Sequence, residues 1–188
     1  EPMTIDGRLD EESWQTATPA TDLIQSGASR NPGQLLSERT EVRFLYDNEN
    51  LYVGAICFDS DIDTMVVNGM MRDFPPRLSD EFGFIIDSLD DDRTGFFFLT
   101  NPTGAKADTQ TSNDSQYNDD WDAVWDVRVE IGEDRWVAEF VVPFKTLRFS
   151  NSGTQEWGLN INRDIRRTNE DGHWAPIPRR YNTARVSM

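Results

Sequence analysis

Apolar and polar residues alternate in short stretches broken by turn-forming residues, which is the pattern of strands rather than helices. In residues 40–46, Val42, Phe44 and Tyr46 fall on one side and Glu41, Arg43 and Leu45 on the other, as a strand with one buried face requires. A turn at Asn48-Glu49-Asn50 leads into 51–58, apolar at nearly every position and therefore expected to be covered on both faces. A half-exposed strand beside a doubly covered one belongs near the middle of a sandwich. Residues 82–86 and 95–100 predict a second hairpin across an acidic loop, and 125–131 and 136–142 a third across Gly132-Glu133-Asp134. Residues 157–166 predict the last strand.

Helices are few. Asp10 suits the N-cap of a short helix over 11–17, and Pro143 opens a single helical turn through Leu147. Residues 65–71 read as a weak strand or short helix before a Pro75-Pro76 break. Residues 101–122 are polar, show little apolar periodicity, and are expected to form a long loop. About eight strands and two short helices make an all-β antiparallel sandwich.

Composition narrows the function classes. The 188 residues suit one domain, and 37% hydrophobic and 11% aromatic content is enough to build a core. The net charge of −16 would repel nucleic acid and anionic membrane surfaces. Residues 1–142 hold 30 acids and 10 bases, whereas 143–188 hold 4 acids and 8 bases, so the end of the chain is a basic counterweight. The single cysteine, Cys57, lies in the most apolar strand and reads as a small buried hydrophobe. The chain is expected to be a piece of a longer protein, with 168–188 an extension towards a downstream domain.

Several segments in order carry a resemblance. IDGRLDEESWQTA (5–17), TEVRFLYDNENLYVGAICFD (40–59), the run W-x-A-E-F-x-V-P-F-K-T-L (136–147) and WGLNINRDIRR (157–167) together resemble family-9 carbohydrate-binding modules over residues 4–167. RTGFFFLTNPTGAKAD (93–108), DWDAVWD (120–126) and HWAPIPR (173–179) are similar to a subgroup of bacterial envelope proteins in which the module precedes an outer-membrane barrel. The resemblance implies an immunoglobulin-like β-sandwich, export to the periplasm, outer membrane or cell surface, and structural calcium. Sugar binding belongs to other branches of the family, so the chain is expected to be a module that binds a polysaccharide or oligosaccharide or, alternatively, a sugar-independent interaction or plug-like domain serving an outer-membrane barrel of the same chain.

Candidate chemistry lies in the loops. Acids cluster at Asp59/Asp61/Asp63, Asp80/Glu81, Asp87/Asp90/Asp91/Asp92 and Asp114/Asp119/Asp120/Asp122. Hard oxygens crowded in this way suit calcium, with Asp59, Asp61, Asp63, Asp80, Asp120 and Asp122 as candidate ligands, or else form solvated acidic loops. One His and one Cys cannot assemble a usual zinc site. A sugar needs an aromatic platform edged by polar groups. Trp121 and Trp174 are the candidate pair, since two aromatics clasp the ring in the family's sugar binders; Tyr117 is a third loop aromatic. The alternative is that these rings cover the open end of the sandwich. Arg179, among the C-terminal arginines, is a candidate for an acidic sugar substituent. His173 has no recognisable nucleophile in its sequence context, so the segment reads as non-catalytic.

Overall fold

The computed structural model describes residues 3–113, 116–150 and 153–175. Its elements in chain order are α1 (Glu12–Thr16), β1 (Ile24–Gln25), β2 (Thr40–Tyr46), β3 (Asn50–Phe58), β4 (Glu81–Asp87), β5 (Thr94–Thr100), β6 (Lys106–Ser112), β7 (Gln116–Asn118), β8 (Asp126–Ile131), β9 (Arg135–Pro143), β10 (Gly158–Ile165) and β11 (Glu170–His173). Single 3₁₀ turns occupy Ile62–Thr64 and Phe144–Thr146. The strands form two sheets, one ordered β1-β11-β10-β4-β5-β6-β7 and the other β2-β3-β9-β8, every paired neighbour antiparallel. This is the expected sandwich.

Strand alternation sets the core. Phe82, Phe84 and Ile86 of β4 and Phe96 and Phe98 of β5 point inward, against Val53 and Ala55 of β3 and Trp136, Ala138 and Phe140 of β9. Phe140 is the hub. Its ring stacks on Trp125 at 5.7 Å and 12° and meets Phe84 at 5.2 Å and Phe82 at 5.9 Å.

The opening hairpin pairs as expected, from Thr40↔Cys57 to Tyr46↔Leu51. β3 is covered on both faces, but β2 is an edge strand rather than a middle one. Val42 and Phe44 turn inward, whereas Tyr46 is 81% exposed because it lies past the reach of the facing sheet. Cys57 is fully buried, and burial pushes its thiol up to about 11.

The outer face of β3 and β9 is covered by the N-terminal segment. A Cβ on Gly54 would stand 2.7 Å from the Leu9 side chain and 3.1 Å from Trp14, so glycine makes room for this cover. Glu139 of β9 fastens it, accepting from the backbone N–H groups of Asp6 and Gly7 and from Trp14 Nε1. Burial raises its carboxyl to about 6, with the hydrogen bonds pulling the other way. The folded protein therefore holds this proton more tightly than the unfolded chain, and stability should fall as pH rises between about 4.5 and 6. Glu139→Gln should flatten that part of the stability–pH profile by about 1–2 kcal/mol, as measured by urea unfolding across the window.

Three strands depart from the sequence pattern. Residues 101–122 are not one long loop, since β6 and β7 lie there and extend the larger sheet. β6 lacks apolar alternation because its inward Asp108 replaces a hydrophobe, accepting from Ala123 N and Arg72 Nη2. β10 is not the last strand; β11 follows, with all four residues of Glu-Asp-Gly-His buried. The first helix is two residues shorter than expected, with Glu11 rather than Asp10 at its N-cap and no side-chain cap bond. Residues 65–71 form neither a strand nor a helix beyond the preceding 3₁₀ turn.

Candidate functional site

A cleft of about 510 Å³ opens on the outer face of the seven-stranded sheet. Its apolar floor is Phe97 and Leu99 of β5 with Ala107 of β6, which alternation turns away from the core. Gly83 of β4 lets these side chains lean across, because a Cβ there would lie 2.7 Å from the Phe98 carbonyl oxygen and 2.8 Å from Leu99. One wall is the segment 73–77, which packs Phe74 against Leu99 and Ala105. It turns through left-handed backbone at both ends, with φ of 56° at Asp73 and 68° at Arg77, a conformation non-glycine residues seldom adopt. Across the floor stand Tyr117 of β7, 43% exposed, with Asp119 and Thr109, the last two joined by a 2.8 Å hydrogen bond.

The end of the cleft over β10 and β11 is polar. Cross-strand pairing sets Asn162 opposite His173 and Asp164 opposite Asp171. Asp171 Oδ1 lies 3.0 Å from His173 Nε2, while its Oδ2 accepts from Ser26 Oγ and Arg77 Nη2. Burial alone would raise the Asp171 carboxyl, but its bond to His173, with Ser26 and Arg77, outweighs burial and holds it below the usual range. Glu81 accepts the Arg77 backbone N–H with both oxygens. Burial raises the carboxyls of both Glu81 and Asp164, and the closeness of Glu81 adds to the rise at Asp164.

The sequence candidates scatter. Tyr117 lines the cleft. Trp174, 43% exposed, follows the cleft residue His173 and donates its backbone N–H to Ile161 O. Trp121 corrects the expected clasp. Its ring packs 5.0 Å from Phe96 and 5.9 Å from Phe98, on the core side of β5. Strands β10 and β4 separate β11 from β5, a span of three strand spacings or about 14 Å. Trp121 and Trp174 therefore do not face one sugar ring. Arg179 and Asp114 lie outside the described residues.

The metal candidates divide in the same way. Asp59 is buried on the guanidinium of Arg167, which also holds Glu38. Asp61 caps back onto Asp59 Oδ1 through its backbone N–H, and Asp63 is exposed. Asp80 is fully buried, accepting from Arg166 N through Oδ1, and burial raises its carboxyl against the nearby charge of Arg163. Asp120 and Asp122 are exposed elsewhere, Asp122 on Arg72. Among the described residues, no three His, Cys, Asp or Glu side chains are arranged to hold a metal ion. Arg167 and Arg72 supply to Asp59 and Asp122 the positive charge expected of calcium, so those two acids as they stand do not fit that ion.

Phe97 was the residue hardest to foresee, although a signal exists. In Phe96-Phe97-Phe98, neighbouring strand side chains point to opposite faces, so one ring must leave the core.

Comparison with solved structures places the fold beside carbohydrate-binding modules. A family-9 carbohydrate-binding module from Caldicellulosiruptor kristjanssonii in complex with cellotriose is similar at a TM-score of 0.64 and 14% identity, over 93% of this chain and 80% of that one. The glucose complex gives 0.61 and 12%, over 93% and 82%. A candidate carbohydrate-binding protein from Bacteroides uniformis gives 0.68 and 10%, over 87% and 79%. At these identities the likeness establishes a shared β-sandwich. Neither a protein-family model nor a curated protein sequence matches the chain.

Proposed function

We propose that this protein binds carbohydrate in the outer-face cleft, as a non-catalytic module of an exported bacterial protein. The observation that carries this reading is the make-up of the cleft. Phe97 and Tyr117 provide aromatic surface beside hydrogen-bonding groups of Thr109, Asn162 and Asp164. A sugar ring has an apolar C–H face and a polar rim, and such a cleft answers both. The fold shared with modules crystallised with cellotriose and glucose supports the same reading.

The polar residues are arranged for binding rather than turnover. Glu81 and Asp164 are cross-strand neighbours whose carboxyls burial raises together, which disfavours the ionised carboxylate that glycoside hydrolysis needs as nucleophile or base. The Ser26 hydroxyl donates to Asp171 and not to the imidazole of His173, so it is not activated as a nucleophile. A second reading, a surface that meets another domain such as an outer-membrane barrel, draws on the exposed apolar side chains Val66, Val67, Met70, Met71 and Leu78.

Calorimetric titration with a panel of neutral oligosaccharides, including cello-oligosaccharides, tests the first reading. Phe97→Ala and Tyr117→Ala should each weaken binding about tenfold, equivalent to about 1.4 kcal/mol. Trp121→Ala should lower the thermal midpoint, since its ring packs on the core. If no glycan binds at millimolar concentration, the domain-surface reading replaces this one.

A further inference from the structure

The polar end of the cleft is rich in acceptors and poor in donors. Asn162 and Asp164 occupy alternate positions of β10, so both side chains leave the sheet on the cleft side, their Cα atoms about 7 Å apart. Each has an oxygen, Oδ1, that is buried and meets no donor among the described residues. Asp164 is only 1% exposed, and a buried acceptor left without a donor is destabilising unless a ligand satisfies it.

None of the described neighbours supplies the missing hydrogen bonds. Arg77 donates its backbone N–H to Glu81 and its Nη2 to Asp171 at 3.1 Å. His173 Nε2 approaches Asp171 Oδ1 at 3.0 Å without forming an aligned hydrogen bond, and Asn160 is bonded to Ala175 and Ile161. Asp73 and Asp119 add carboxylates at the walls, and Asp108 beneath β6 is neutralised by Arg72. Carboxyls therefore outnumber cations around the cleft.

A protonated amine complements such a surface. It carries three N–H donors, a positive charge and no acceptor, whereas a hydroxyl brings lone pairs that would find few donors here. A carboxylate would meet both like charge and unpaired acceptors. We propose that the cleft selects a glycan bearing a free protonated amine, of the 2-amino-2-deoxy sugar type, seated on Asn162 Oδ1 and Asp164 Oδ1, and rejects uronic acids. This inference rests on the reading of the cleft as a carbohydrate site. Burial raises the Asp164 carboxyl, and an arriving ammonium group would favour its ionised form.

The test is calorimetric titration of the whole chain with four oligosaccharides of equal length: glucosamine oligomers, their N-acetylated form, gluco-oligomers and uronate oligomers. The buffer pH keeps the amine protonated. The expected result is at least tenfold tighter binding of the amine form than of the acetylated form, with uronates the weakest. Asp164→Asn should bring the amine and acetylated forms within about twofold of each other, and Asn162→Asp should widen the gap. The second variant and the unmodified protein keep the test decisive if Asp164→Asn fails to fold. Equal binding of amine and neutral forms overturns the inference while leaving carbohydrate binding intact. No binding by any of the four overturns both. An amine preference that survives Asp164→Asn belongs to the general charge of −16 and overturns the site.

Discussion

Phe140→Ala is expected to lower stability by about 3–5 kcal/mol, the cost of removing a fully buried phenylalanine that neighbours cannot replace. The ring touches both sheets. It lies on β9 of the smaller sheet, stacks on Trp125, and reaches Phe82 and Phe84 of the larger one. Truncation leaves a void bounded by flat rings that cannot collapse without shifting whole strands. In a domain of this length, each kcal/mol moves the thermal midpoint by roughly 2–4 °C, so a fall of about 10 °C should be seen in a melting experiment. Tyr46→Ala is the contrast. Alternation alone assigns Tyr46 to the same side as Val42 and Phe44, yet it is 81% exposed, and its loss should stay within about 0.5 kcal/mol. Similar losses from the two variants would refute this account of the core.

The second large effect concerns a buried cation. Arg163 is fully buried between the sheets, donates Nη2 to Phe58 O and places its guanidinium 5.5 Å from the centre of the Trp136 ring. Its charge opposes the burial that raises Asp80, and Asp59 adds a like charge to the same region. Arg163→Met keeps much of the apolar volume but leaves the buried Asp80 without that opposing charge, at a cost of about 3 kcal/mol or more. The pH dependence carries the mechanism. Without Arg163 the Asp80 carboxyl rises further, so the folded variant binds a proton that the unfolded chain releases. Its deficit should be larger at pH 7 than at pH 5, measured by urea unfolding at both. A deficit independent of pH would mean that lost packing, not stranded charge, is the cause.

The hairpins were legible because one buried face forces alternation, and two strands joined by a short polar turn have few other ways to pair. β6 and β11 escaped because their buried positions are polar. Asp108 and Asp171 are tied down by partners distant in sequence, Ala123 and Arg72 for one and Ser26 and Arg77 for the other, which no local window contains. The threonines of β6 were the remaining hint, since β-branched residues favour strands. Among the sugar candidates, Tyr117 was found in the cleft, whereas Trp121 belongs to the core even though its sequence neighbours are acids. Polar flanks describe the backbone around a side chain, and the side chain itself can still turn inward. The acidic loops misled in a similar way. Asp59 and Asp122 are partnered by Arg167 and Arg72, one from a strand-to-strand turn and the other from the segment before the cleft wall.

The borders of the two sheets bear on how many copies of this domain could crowd together without sticking. An open strand edge is a template for another chain. Here the larger sheet tapers to β1, two residues long, and β7, three residues long. Leu35 bridges Ile24 on the outside of β1, and Ala20 bridges Val42 midway along β2, interrupting the two edges that a neighbour could extend. β8, the remaining border, carries Arg128 and Glu130, the latter already gripped by Arg8. Copies concentrated along one polymer would thus meet blunt, charged margins, and a chain so acidic would be held apart at distances short enough for screening to leave some repulsion.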